Sequence, residues 1–215
     1  MALRFLFIGA SLLSCNAEEI SYTSTQQDRF TKNEKNSKIA WDTSRNQEKI
    51  ETQIKPEEIV QKTKTKQHYF SITLDQDGRV VSIHVFDKKS KKLLQDFSVS
   101  CQFIDEPLSI GDYNFDGHTD FSIFEGQYSG ANTSSIYFLY DPINKHYFKS
   151  NFQGISLEFD SKKKIIHEYN SSAAGSDIEE SYYRVVNNQM VLIRKTCKKY
   201  ISGEDKYRVV PCDKY

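Results

Sequence analysis

From residue 67 onward, apolar and polar positions alternate with a period of two, and clusters of turn residues separate the runs. His68-Tyr69-Phe70-Ser71-Ile72-Thr73-Leu74 reads as a strand, Gln76-Asp77-Gly78 as a hairpin turn, and residues 80–86 as the partner strand. The basic run Lys88-Lys89-Ser90-Lys91-Lys92 turns the chain into a strand over 93–103, and reads as a solvated loop in preference to a binding patch. An Asp/Asn/Gly-rich loop follows at 112–120. Further strands are predicted over 121–125, 135–140, 147–151, 155–159 and 165–169, and closing hairpins over 182–186, 190–196 and 207–210. Turns at Asp141-Pro142-Ile143-Asn144-Lys145 and Asp160-Ser161-Lys162-Lys163 separate them. Short strands at this spacing predict an all-β domain over 67–215, an antiparallel meander of propeller-like kind.

The pattern changes upstream. Residues 15–66 are rich in Gln, Lys, Thr, Asn and Glu, too poor in apolar residues to build a core, and read as a flexible tether. Pro56-Glu57-Glu58-Ile59-Val60 could open a short helix, and Trp41 either docks on a surface or stands exposed. Residues 1–14 read as a secretory signal, with Arg4 followed by the apolar run Phe5-Leu6-Phe7-Ile8-Gly9-Ala10. The signal ends in Leu12-Leu13-Ser14-Cys15, which resembles a bacterial lipobox with Cys15 as the lipid acceptor. Cleavage near Ala17 would instead remove Cys15. Asn16 after the lipidated cysteine points to the outer membrane, so the expected location is the periplasm, on a lipid anchor in that membrane.

Charge excludes one class of partner: 29 basic and 29 acidic residues leave no net charge to draw the chain to nucleic acid. The 112–120 loop carries the most specific chemistry. Asp112, Asn114 and Asp116 supply side-chain oxygens at positions 1, 3 and 5, Gly117 permits the turn, His118 offers a carbonyl at position 7, and Asp120 stands at position 9. Position 12 is Ile123 where a calcium sensor carries Glu, so the pattern predicts a static calcium site and no helix-loop-helix switch. A solvated turn is the bland alternative, but carboxylates this close repel one another without a cation.

Cys197 and Cys212 bracket a predicted hairpin and could close a disulfide across it, while Cys101 would stay single; other pairings remain open. Catalysis finds little support. His68, His84, His118, His146 and His167 show no paired metal-protease spacing, no nucleophile elbow exists, and Asp105 and Glu106, adjacent on a strand, would face opposite sides.

The order of Gly111-Asp112-Tyr113-Asn114-Phe115-Asp116-Gly117-His118-Thr119-Asp120-Phe121, then Ile136-Tyr137-Phe138-Leu139-Tyr140-Asp141-Pro142, then Tyr182-Tyr183-Arg184-Val185-Val186 resembles bacterial periplasmic calcium-binding lipoproteins. Members of that family act as immunity proteins, inhibiting peptidoglycan hydrolases delivered by rival cells, type IV secretion effectors with lysozyme-like activity among them. The resemblance spans most of residues 68–195. It implies a non-enzyme that inserts a loop into the cleft of a peptidoglycan hydrolase. Many relatives carry a Gly-Cys-Cys-Trp-His type loop where this chain has Ser171-Ser172-Ala173-Ala174-Gly175-Ser176. Two loops qualify as target contacts: Tyr128, Ser129 and Asn132 in the first, and Tyr169, Asn170, Ser172 and Ser176 in the second. Each could equally be a plain connection. The rival function is a non-catalytic envelope binding or assembly module with a structural calcium site.

Overall fold

The structure is a computed structural model that describes residues 15, 17–20, 57–102, 104, 106–129 and 131–214. The signal segment 1–14, Trp41 and most of the predicted tether lie outside the described residues.

Three antiparallel sheets follow one another along the chain. The first is built from β1 (Ala17–Glu19), β2 (Glu57–Lys64), β3 (His68–Leu74), β4 (Arg79–Asp87) and β5 (Leu93–Gln102), in the order β1-β5-β4-β3-β2. The second is the meander β6 (Leu108–Gly111), β7 (Asp120–Gln127), β8 (Thr133–Asp141) and β9 (His146–Lys149). The third is the meander β10 (Leu157–Asp160), β11 (Ile165–Ser172), β12 (Asp177–Val186), β13 (Gln189–Ile201) and β14 (Lys206–Val210). The predicted all-β meander is observed, and none of the three sheets closes into a barrel.

The second sheet is the middle layer, which explains the unbroken apolar run Ile136-Tyr137-Phe138-Leu139-Tyr140. Successive strand residues face opposite sides. On β8, Ile136, Phe138 and Tyr140 enter a core shared with Phe70, Ile72, Ile83, Val85 and Phe97 of the first sheet. Tyr137 and Leu139 enter a second core with Ile166, against which Phe159, Tyr183, Val185 and Met190 of the third sheet pack. A strand buried on both faces loses its polar alternation. Gln95 helps join the first two layers: its side-chain amide donates to the Tyr147 carbonyl at 2.9 Å and accepts from the Tyr147 N–H at 2.6 Å.

Two N-terminal expectations are corrected. Residues 57–64 form β2, not tether or helix, because they pair with β3 at an open sheet edge. Residues 17–19 pair with 97–99 at the opposite edge, the Ile20 N–H donates to the Asp96 carbonyl, and Cys15 and Ala17 are buried. The folded domain therefore begins well before residue 67.

Cys197 is joined to Cys212, which ties β13 to the turn after β14. Cys15 is joined to Cys101, so Cys101 is not single. This pairing and the expected lipid on Cys15 exclude one another. A sulfur bound in a disulfide cannot also form a thioether, and the edge pairing of β1 brings the two cysteines together. Among the described residues, no helix is long and apolar enough to cross a membrane.

Candidate functional site

The 112–120 loop connects β6 to β7 and curls onto its own backbone. Asp112 accepts hydrogen bonds from the Asp116 N–H at 3.0 Å and the Gly117 N–H at 2.9 Å. Asn114 Oδ1 accepts from the Asp116 N–H at 3.2 Å, and Asp116 accepts from the His118 N–H at 2.8 Å. Gly117 takes φ +89°, a conformation glycine adopts without a Cβ penalty. Asp120 turns inward, wholly buried, and its carboxylate accepts from the Tyr113 N–H and the Tyr140 N–H, each at 2.8 Å. It thereby ties the loop's start to β8.

Burial drives the Asp120 carboxyl up to about pH 7; its two backbone hydrogen bonds oppose that shift, and the negative charges of Asp116 and Asp112 add to it. Among the described residues, none of the three aspartates has a cationic ion-pair partner, and no three His, Cys, Asp or Glu side chains converge as a metal cluster. The donor set is all oxygen, as Ca²⁺ requires, and each carboxylate oxygen keeps a lone pair beside its hydrogen bond. The chemistry of the loop thus fits calcium, although its acidic side chains stand on backbone amides and are not gathered around one point.

A pH dependence follows for the chelated protein. The folded-state value of Asp120 lies above the unfolded one, so the native state holds this proton more tightly, and stability is lost as pH rises from about 4 to about 7 before levelling off. The urea midpoint measured in chelator should fall across that window, and Asp120→Asn should flatten the fall. A wild-type profile superimposable on that of the Asn variant would show that Asp120 does not titrate there.

The loop also carries the third sheet. Asn114 Nδ2 donates to Asn188 Oδ1 at 3.0 Å, in the β12–β13 turn, and Lys164 Nζ donates to the Phe115 carbonyl at 3.1 Å from the β10–β11 turn. Tyr113 and Phe115 both pack on Phe159, with ring centroids 4.7 and 6.3 Å apart.

The two predicted contact loops meet. Asn132 is buried, and its side-chain amide engages the free edge of β11. Nδ2 donates to the Ser171 carbonyl at 2.7 Å and to Asn170 Oδ1 at 3.1 Å, and Oδ1 accepts from the Ser171 N–H at 3.1 Å. Tyr128 is half-buried: its N–H donates to the Asn132 carbonyl, and its hydroxyl accepts from Ser134 Oγ at 3.3 Å. Ser129 is exposed. Tyr169, Asn170 and Ser172 belong to strand β11, not to a loop, because β12 pairs with them up to Ser172. The connection shrinks to a 3-10 turn, Ala173–Gly175, followed by Ser176.

That turn is strained. Ala173, Ala174 and Gly175 have φ of 49°, 55° and 88°, and a left-handed alanine costs about 1–2 kcal/mol. The surroundings hold it: the Tyr207 hydroxyl donates to the Gly175 carbonyl at 2.6 Å, and the Tyr200 N–H donates to the Ser176 carbonyl at 2.7 Å. Beside it lies a small open pocket lined by Asn170, Ser172, Asp177, Ile178 and Glu179. Sequence reasoning missed Tyr207, Lys164 and Asn188. Asn187-Asn188 as a tight-turn signature was the one local signal available; the others act across distant strands.

No family model matches this chain, and no curated protein sequence matches it. Among solved structures it is similar to a Xanthomonas type IV secretion system related protein, at 17% sequence identity and a TM-score of 0.45, over 72% of this chain and 93% of that one.

Proposed function

We propose that this protein is a periplasmic immunity protein: it binds a peptidoglycan-degrading, lysozyme-like enzyme and blocks its cleft with the Ala173–Gly175 tip. One observation carries the reading. The tip is small and uncharged, its two alanines are exposed, and it is held in a strained left-handed form by Tyr207 while Asn132 secures the strand beneath it. Backbone strain at an exposed point is a known mark of binding sites. A tip already ordered loses little entropy on entering a cleft, so more of its contact energy appears as affinity. A glycan-cleaving cleft holds carboxylates flanking the scissile bond, and a wedge between them excludes both water and substrate. The two disulfides fit an oxidising compartment such as the periplasm.

Calcium belongs to the same proposal as a structural cofactor. Asp112, Asn114, Asp116 and Asp120 would hold it, with the His118 carbonyl, and its charge would offset the buried carboxylate of Asp120. The protein itself is no enzyme on this reading.

Size-exclusion and calorimetric binding against a panel of purified peptidoglycan-cleaving enzymes tests it, with Asn132→Ala alongside. A one-to-one complex with at least one glycosidase, weakened by Asn132→Ala, is expected. Binding to intact cell-wall sacculi or to envelope proteins alone, with every hydrolase ignored, would favour the assembly-module reading instead.

A further inference from the structure

The face of the third sheet behind the tip suggests what the target presents to it. Register places Asn170, Glu179 and Cys197 in one row across the sheet, and Ser172, Asp177, Lys199 and Arg208 in the next. These rows are two residues apart along each strand, so both lie on one face, with Lys195 in the row before them. Asn170 of this face touches Asn132, so the β7–β8 loop borders it.

The ion pairs on this face have a common polarity. Lys195 pairs with Glu179 at 2.8 Å, Lys199 with Asp177 at 3.7 Å, and Arg208 with Glu204. In every pair the cation is the more exposed member, most unequally at Lys199, which is 56% exposed against 17% for Asp177. An approaching surface therefore meets ammonium and guanidinium groups first. The Lys199 pair is also the loosest: at 3.7 Å it is beyond hydrogen-bond range, and Asp177 Oδ1 has no hydrogen-bond partner among the described residues. Lys199 stands one residue before Tyr200, whose N–H holds the tip.

We propose that Lys199 is the specificity-determining residue of this surface and that it meets a carboxylate of the target's cleft as the tip enters. This deepens the inhibitor reading above and rests on it. A target carboxylate competes with Asp177 for the Lys199 ammonium, and a water-excluding cleft strengthens the new pair. Asp177 therefore opposes binding. Neutralising it releases Lys199, a sign that a purely structural role would not give.

The test uses the full chain and, as probes, hen-type and phage-type lysozymes, with dissociation constants measured by calorimetry at two salt concentrations. Lys199→Met should weaken binding by about tenfold or more and reduce its salt dependence, Asp177→Asn should tighten it a few-fold, and Lys198→Met, on the opposite face, should leave it unchanged. Circular dichroism melts of each variant separate misfolding from lost contact. If the wild type binds neither lysozyme, the inhibitor reading fails for this class of enzyme. If the wild type binds while Lys199→Met and Asp177→Asn bind equally well, the inhibitor reading stands and the role given to Lys199 is wrong.

Discussion

Replacing Asp120 with alanine is expected to cost about 3–5 kcal/mol, and to lower the melting temperature by roughly 10 °C. The carboxylate satisfies two N–H groups, those of Tyr113 and Tyr140, on elements far apart in sequence. Alanine leaves both without that acceptor in a region that water does not reach, and each buried orphan costs about 1–3 kcal/mol. A desolvated ionised carboxylate opposes folding, so part of this loss is offset in chelator. The deficit of the variant should widen when calcium is added, because calcium stabilises only the form that binds it. Thermal melts of both proteins, with chelator and with calcium, decide the matter. Equal melting temperatures in chelator would show that Asp120 does not hold the loop to β8, and a calcium response of equal size in both proteins would remove Asp120 from the metal site.

Phe121→Ala should be as damaging, at about 3–5 kcal/mol, for a different reason. Phe121 is fully buried at the junction of the first two sheets. Its ring stacks on Phe138 at 4.5 Å and meets Phe70 at 4.9 Å and Tyr147 at 5.0 Å. Removing it leaves a cavity walled by rings that are pinned elsewhere: Tyr147 donates or accepts at His68 Nδ1, 3.0 Å away, and its backbone is held by Gln95. Walls held that way collapse poorly, so the cost falls at the high end of the range. Phe121→Leu, which keeps most of the volume, should lose much less. Urea unfolding of the two variants checks this, and an alanine variant within about 1 kcal/mol of wild type would mean that the first two sheets do not share one core.

The strands of the domain were legible where apolar and polar residues alternate in the sequence. His68–Leu74 and its partner across the Asp77-Gly78 turn alternate clearly, and they pair as read. The 112–120 loop was legible because its spacing is local. β2 was not, because Glu57 to Lys64 carries little apolar patterning and becomes a strand through pairing with β3. The partner of Cys101 was hidden for a similar reason: Cys15 lies 86 residues away, and an edge pairing brings it near. The two predicted contact loops were legible as places, but their meeting was not. Asn132 reaches Asn170 and Ser171 across 38 and 39 residues, and nothing near Ala173 and Ala174 in the sequence foretells left-handed alanines held by Tyr207.

The 112–120 loop and the tip are parts of one device on the proposed reading. The loop ties the middle sheet to the third through Asn188, Lys164 and Phe159, and the third sheet carries the tip. The most direct measurement is the rate at which a lysozyme-like enzyme clears a suspension of cell-wall peptidoglycan in the presence of this protein. Stoichiometric wild-type protein should stop the clearing, and Ala174→Arg, a change at an exposed residue, should restore it while melting within a few degrees of wild type. Clearing that proceeds unchanged with the wild-type protein, across every glycan-cleaving enzyme tested, would contradict the account.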